Sequence, residues 1–284
     1  MSAAFAGQAP TLGVLTVDPE PVAVPPHGQP MRIGCTLPEA VAALAPGDPV
    51  LLDDGAITAI VESTSAGEAT LRITQTKPGG KRLGAGKGNN LPAIELPIPA
   101  LTDEDVGHLP FIAQHADLSA VSFIRTPADV DHVLAALEDA QARHLVLVLK
   151  IETAHGFREL PSILLAALRH PQVGVMIARG DLAAEVGFER LSEIPRQILA
   201  LCEAALIPAI WATEVLETLA KTGRPSRAEI TDAAAAQRSE CVMLNKGSHI
   251  IGAITVLDSI LERMGEVQRK SRTLLRRIHS WDEQ

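Results

Sequence analysis

Val146-Leu147-Val148-Leu149-Lys150-Ile151-Glu152 is the stretch on which the fold turns. Four apolar residues run unbroken and end on a cation, an apolar residue and an acid. The pattern recurs twice downstream. Val173-Gly174-Val175-Met176-Ile177-Ala178 ends in Arg179-Gly180-Asp181, and Ile207-Pro208-Ala209-Ile210-Trp211-Ala212 ends in Thr213-Glu214. Segments of helical period separate the runs. Continuous apolar runs of strand length alternating with amphipathic helices predict parallel β/α units. The polar residues after each run then fall at the carboxyl ends of the strands, where barrels and open parallel sheets carry their sites.

Side chains alternate along a strand, so Lys150 and Glu152 face one side and Ile151 the other. A cation and an acid sharing one inward side are costly to bury as mere packing. They suit a pocket for an anionic substrate and a divalent metal. Asp181 follows a glycine at the predicted start of the helical turn Leu182-Ala183-Ala184-Glu185. Backbone N–H groups there can face an anion while the carboxylate faces a cation. Two carboxylates from adjacent strands leave coordination positions for water and substrate oxygens, the usual way of holding magnesium.

Lys150-Ile151-Glu152, then Met176-Ile177-Ala178-Arg179-Gly180-Asp181-Leu182, then Trp211-Ala212-Thr213-Glu214-Val215-Leu216-Glu217 resemble pyruvate kinase. Arg224-Pro225-Ser226-Arg227-Ala228-Glu229-Ile230-Thr231-Asp232 and Cys241-Val242-Met243-Leu244 continue the match in order. The resemblance implies an α/β fold, a (β/α)8 TIM-type barrel with a small antiparallel β lid. It implies phosphoryl transfer between phosphoenolpyruvate and ADP, giving pyruvate and ATP as in glycolysis. Lys150 would then neutralise charge on the moving phosphoryl group, and Glu152 and Asp181 would be ligands of Mg2+ (or Mn2+). The N–H groups of Gly180 and Asp181 would hold the substrate carboxylate. Thr213 would help bind that carboxylate or organise protonation of the enol carbon. K+ is expected from the resemblance only.

Blander readings stand beside these. Lys150 can be a snorkelling strand-end lysine, Glu152 and Asp181 helix caps or surface charge, and Thr213 an ordinary strand-end threonine. Arg179 reads as a structural partner orienting Glu152 or another carboxylate. Ser122 and Arg125 belong to a matching Ser-Phe-Ile-Arg run, for which barrel lining is an equal reading.

The rest of the chain divides by texture. Residues 1–30 are rich in Ala, Pro and Gly and read as irregular, apart from one strand over Thr11–Val17. Residues 31–92 hold short β-like runs at 49–52, 56–62 and 69–74, broken by Asp53-Asp54-Gly55 and Ser65-Ala66-Gly67, which suit tight hairpins. This segment resembles part of the pyruvate kinase lid. Its end, Gly86-Lys87-Gly88-Asn89-Asn90-Leu91-Pro92, looks like the family's exit from lid to barrel. The residues alone favour a flexible solvated hinge; the resemblance implies that Lys87 reaches nucleotide phosphates when the lid closes. Residues 93–266 read as five β/α strands with their helices, among them a strand over 120–125 and helices over 157–169 and 214–221, opened by the helix start Thr102-Asp103-Glu104-Asp105, close to a capping box. Residues 267–284 form a basic tail with Leu274, Leu275, Ile278 and Trp281 on helical spacing.

Five strands do not close an eight-stranded barrel and leave two edges open. The expected consequence is that the chain is the carboxyl-terminal part of a longer enzyme, a homo-oligomer, or one half of a pair whose complementing partner supplies the early strands with their phosphoryl-gripping arginine and potassium ligands. A Mg-dependent 2-oxo acid lyase or aldolase uses the same carboxylate pair, and a non-catalytic subunit is a third reading. Asn245-Lys246-Gly247-Ser248-His249 departs from the family's Ser-Gly-Glu-Thr loop, and Glu214-Val215 stands where Gln and Met are usual.

Composition narrows the classes. Net charge is -9 and aromatic residues are 2% of 284, a poor basis for binding nucleic acid. The three scattered cysteines, Cys35, Cys202 and Cys241, read as reduced core residues of a cytoplasmic protein. No segment reads as a signal peptide or a membrane span.

Overall fold

The structure, a computed structural model, describes residues 3–5, 12–18, 21, 29–53, 55–92, 94 and 96–267. They fall into two compact units that divide between Ile98 and Pro99.

The first unit contains β1 (Ala3–Phe5), β2 (Leu12–Thr16), β3 (Met31–Gly34), α1 (Pro38–Ala43), β4 (Pro49–Leu52), β5 (Ile57–Ser65), β6 (Glu68–Thr76), β7 (Lys81–Leu83) and β8 (Asn89–Asn90). Six strands form one sheet in the order β3-β2-β6-β5-β4-β8. Alternation makes it one-sided: Ile57, Ala59 and Val61 on β5 and Ala69 and Leu71 on β6 are buried, with half-buried residues between them. The hairpins fall where sequence puts them. Gly55 between β4 and β5 and Gly67 between β5 and β6 take positive φ, as such turns require. Two details differ from the sequence reading. β2 runs parallel to β3, so the sheet is mixed. Within the segment read as irregular, Ala3–Phe5 is also a strand, because it pairs with β7 rather than through any periodicity of its own.

The second unit alternates helix and strand: α2 (Asp103–His115), β9 (Leu118–Val121), α3 (Pro127–Asp139), β10 (Val146–Ile151), α4 (Ala154–Arg158), α5 (Leu160–Ala167), β11 (Val173–Ala178), α6 (Arg179–Val186), α7 (Ile194–Ala205), β12 (Ala209–Val215), α8 (Glu217–Thr222), α9 (Arg227–Ala235), β13 (Cys241–Leu244) and α10 (Ile250–Val267). The five strands form one parallel sheet in the order β13-β12-β11-β10-β9. This is the predicted run of consecutive β/α units, a partial TIM-type barrel with β9 and β13 at the edges of the described sheet. In register, Lys150 stands beside Met176 and Met176 beside Ile210. The intervening residues Ile151, Ile177 and Trp211 face the other way, into a core with Ile198 and Leu199 of α7.

Local chemistry sets the element ends. Thr102, Thr126 and Ser226 each close a full capping box, at α2, α3 and α9. The helix expected over 157–169 is two pieces, with Pro161 in the first turn of α5, where its missing N–H costs nothing. The strand expected over 120–125 stops at Val121 because Phe123 turns into the left-handed region at φ 55°. The helix expected from 214 starts at Glu217 for a similar reason, since Thr213, Glu214 and Leu216 all have positive φ.

Cys35 and Cys202 are buried as expected, but Cys241 is exposed because it opens the edge strand β13. Burial pushes the Cys202 thiol up to about 12, so it is an inert core thiol. Among the described residues no helix is long and apolar enough to cross a membrane. The basic tail lies, past Val267, outside the described residues.

Candidate functional site

β10 delivers Lys150 and Glu152 to one place. Lys150 Nζ lies 2.8 Å from Glu152 Oε1 and donates to Ser122 Oγ, also at 2.8 Å. The second carboxylate oxygen, Oε2, accepts the N–H of Phe123 at 2.5 Å. Glu152 is 2% exposed, whereas a quarter of the Lys150 side chain (25%) meets solvent. Burial pushes the Glu152 carboxyl above its ordinary range. The Lys150 ammonium and the Phe123 N–H oppose that rise, and the neighbouring charge of Asp181 adds to it. Ser122 is therefore a hydrogen-bond partner of Lys150. Arg125 instead pairs with Asp129 of α3 at 3.6 Å.

The turn that aims Phe123 N–H at Glu152 is packed against α4. A Cβ on Gly156 would stand 2.5 Å from the carbonyl oxygen of Ile124. Gly156→Ala is expected to destabilise the chain by about 1–3 kcal/mol through overpacking, read as a lower urea midpoint with unchanged m-value. A variant as stable as the parent would show that this turn yields freely.

β11 runs directly into α6, which puts Asp181 in the helix's first turn, within electrostatic reach of Glu152. α6 has no side-chain cap of its own. Its Gly180 N–H donates to Thr213 Oγ1 from β12 at 2.9 Å, and that hydroxyl donates to the Ala212 carbonyl at 2.7 Å. The Gly180 N–H expected to hold substrate is thus engaged by Thr213 in this structure. One turn along α6, Glu185 is a second half-buried acid near Asp181. Burial first, then the Asp181 charge, raise its pKa, against the Ala154 N–H and the Arg158 charge. Sequence reasoning passed over Glu185; its spacing of four from Asp181 on a helix was the available signal.

Thr213 sits in a distorted strand end. The β12–β13 register shifts between Trp211 and Val215. Thr213 has φ 65° and Glu214 φ 56°, a left-handed pair in which a β-branched residue is an outlier. Arg179, expected to orient Glu152 or another carboxylate, pairs with Asp232 of α9 at 2.5 Å. It also donates to the carbonyls of Ala212 and Thr213.

Lys87 belongs to the first unit. It is ion-paired with buried Asp53 at 2.7 Å, and Lys81 reaches the same carboxylate at 2.9 Å. Lys87 and then Lys81 hold the Asp53 carboxyl below its usual range. The Asp53 N–H also donates to the Gly88 carbonyl, so the glycine-rich segment is fastened here rather than a free hinge.

The donor set fits magnesium better than a metal held wholly by protein. Among the described residues no group of three or more His, Cys, Asp or Glu is placed to hold an ion. Two adjacent carboxylates, with the remaining positions left to water and substrate oxygens, are what Mg2+ takes.

The model of the pyruvate kinase barrel domain matches residues 20–253. The chain belongs to the pyruvate kinase family. A pyruvate kinase of Methylorubrum extorquens is 33% identical over 258 residues, covering 88% of this chain and 50% of that protein. One from Geobacillus stearothermophilus is 33% identical, covering 83% and 40%, and human pyruvate kinase PKLR is 32% identical, covering 87% and 42%. The fold agrees with the crystal structure of a pyruvate kinase from Cryptosporidium parvum, at a TM-score of 0.77 and 24% identity, over 94% of this chain and 55% of that one. This pyruvate kinase-family chain therefore spans about half the length of the relatives it matches.

Proposed function

We propose that this chain carries out phosphoryl transfer between phosphoenolpyruvate and ADP, the cytoplasmic, glycolytic reaction that yields pyruvate and ATP. The observation that carries this reading is the Lys150–Glu152 pair at the carboxyl end of β10, with Asp181 in the first turn of the helix after β11 and its charge felt by Glu152. Glu152 and Asp181 would hold Mg2+, which when bound supplies charge neutralisation for the substrate oxygens. Lys150, tethered by Ser122 and Glu152, presents a fixed ammonium to the phosphoryl group, so little reorganisation is needed as charge moves. Thr213 Oγ1 binds the substrate carboxylate or positions the proton for the enol carbon. The N–H groups of Gly180 and Asp181 complete that anion site once the substrate takes the place of Thr213. Lys87 exchanges Asp53 for the nucleotide phosphates. Potassium, the other ion implied by the family, is assigned no ligand in this chain.

Pyruvate release from phosphoenolpyruvate, assayed on the full chain with and without ADP in magnesium buffer, tests the reading. Release that requires ADP is expected. ADP-independent pyruvate release from an aldol substrate would replace the kinase with a lyase. The edge strands β9 and β13 favour one variant of the proposal, in which turnover requires a second copy or a partner supplying the early strands. Activity that appears only on mixing with a fragment carrying those strands would establish it.

A further inference from the structure

We propose that Arg179 is a positioning residue for Thr213: its guanidinium fixes the left-handed bulge of β12 and so holds the Thr213 hydroxyl against the Gly180 N–H. Every nitrogen of the guanidinium is used. Nε donates to the Ala212 carbonyl at 2.9 Å, Nη2 to the Thr213 carbonyl at 2.5 Å, and Nη1 to Asp232 Oδ1 at 2.5 Å. The guanidinium carbon lies 4.6 Å from the centre of the Trp211 ring. The Arg179 side chain is 11% exposed and Trp211 4%, so the stack is largely shielded from water. The Trp211 indole N–H has no hydrogen-bond partner among the described residues, so the ring serves the arginine as a flat platform.

The geometry explains why an arginine is needed. Successive carbonyls of an extended strand point to opposite sides, and one planar group cannot receive both. At Ala212 and Thr213 they converge because Thr213 and Glu214 are left-handed. A guanidinium offers two parallel donors to such a pair, whereas an ammonium is a single point. Released from this grip, Thr213 would relax toward the extended φ that a β-branched residue prefers, and its hydroxyl would swing away from α6. Gly180 reports that movement. Its amide lies in the first turn of α6, where helical N–H groups lack an intrahelical acceptor. Its protection therefore depends on Thr213 Oγ1.

Amide hydrogen exchange at Gly180 in the full chain, followed by NMR, tests this. The proposal rests on the phosphotransfer reading only for its effect on turnover. Arg179→Lys and Thr213→Val are each expected to speed exchange at Gly180 about tenfold. Thr213→Ser, which keeps the hydroxyl, should leave it near the parent rate. The amides of Val175 and Ile177 in β11 serve as the internal check on folding. If Arg179→Lys loosens those too, Asp232→Asn decides, since it weakens the anchor and keeps the guanidinium. Faster exchange confined to Gly180 supports the proposal, and parental exchange there overturns it. Parental exchange in Arg179→Lys also overturns it. Turnover is read separately: a parent that never converts phosphoenolpyruvate defeats the proposed function and leaves the exchange result standing. In an active parent, Arg179→Lys should lower kcat about tenfold while KM for ADP holds.

Discussion

Lys150→Met is expected to lower phosphoryl transfer by about 10²–10³-fold or more, because it removes the fixed positive charge offered to the transferring group. It is also expected to make stability more strongly dependent on pH. Burial already raises the Glu152 carboxyl, with Lys150 as the main opposing influence. A carboxyl whose folded pKa is raised contributes stability that is full below its unfolded pKa and is lost as pH rises through the folded one. Without Lys150 the folded pKa moves higher still, and the loss extends further up the pH scale. Lys150 is a quarter exposed, which tempers the penalty for breaking the pair. A deficit of about 2–3 kcal/mol at pH 8 is expected, below the usual range for fully buried pairs, with a smaller deficit at pH 5. Urea unfolding at the two pH values measures it. Lys150→Met/Glu152→Gln should recover most of the loss at pH 8, since the orphaned acid is then gone. Equal deficits at both pH values, or no recovery in the double variant, would mean that the pair is not the electrostatic unit described.

Strand-forming runs and their polar ends were legible in the sequence because both are local. An apolar tetrad followed by Lys150-Ile151-Glu152 states its own period, and parallel register then brings Lys150 level with Met176. The capping box at Thr102 could be read for the same reason. Less legible was what depends on contacts far apart in the chain. Nothing local says that Phe123 turns left-handed to present its N–H to Glu152, 29 residues on. Nor does the run Trp211-Ala212-Thr213-Glu214 announce a bulge; its stabilisers, Arg179 and Asp232, lie on α6 and α9. By type Arg179 is a carboxylate's partner, and the carboxylate it pairs with is Asp232, not Glu152. Lys87 illustrates the same limit. A glycine-rich basic stretch carries no sign that a buried aspartate more than 30 positions earlier will hold its lysine.

Asp181→Asn and Glu152→Gln are expected to raise the magnesium needed for half-maximal turnover by about 10–100-fold while leaving the chain folded. The two should differ in stability for reasons visible in the site. Asp181→Asn removes a charge that raises the carboxyls of both Glu152 and Glu185, so it should be neutral or mildly stabilising at pH 7. Glu152→Gln keeps an oxygen for the Phe123 N–H and deprives Lys150 of its acid. Lys150 retains Ser122 and access to water, so the cost should be only about 1 kcal/mol. Mn2+ binding followed by electron paramagnetic resonance provides a second readout that does not depend on turnover. Each variant should bind Mn2+ more weakly in that titration. If either unfolds while its metal dependence stays parental, its carboxylate braces the ends of β10 and β11 and is no metal ligand. The separation of the two effects follows from the site: Glu152 has the Phe123 N–H and Lys150 to settle it in the fold, and only a cation would need both carboxylates at once.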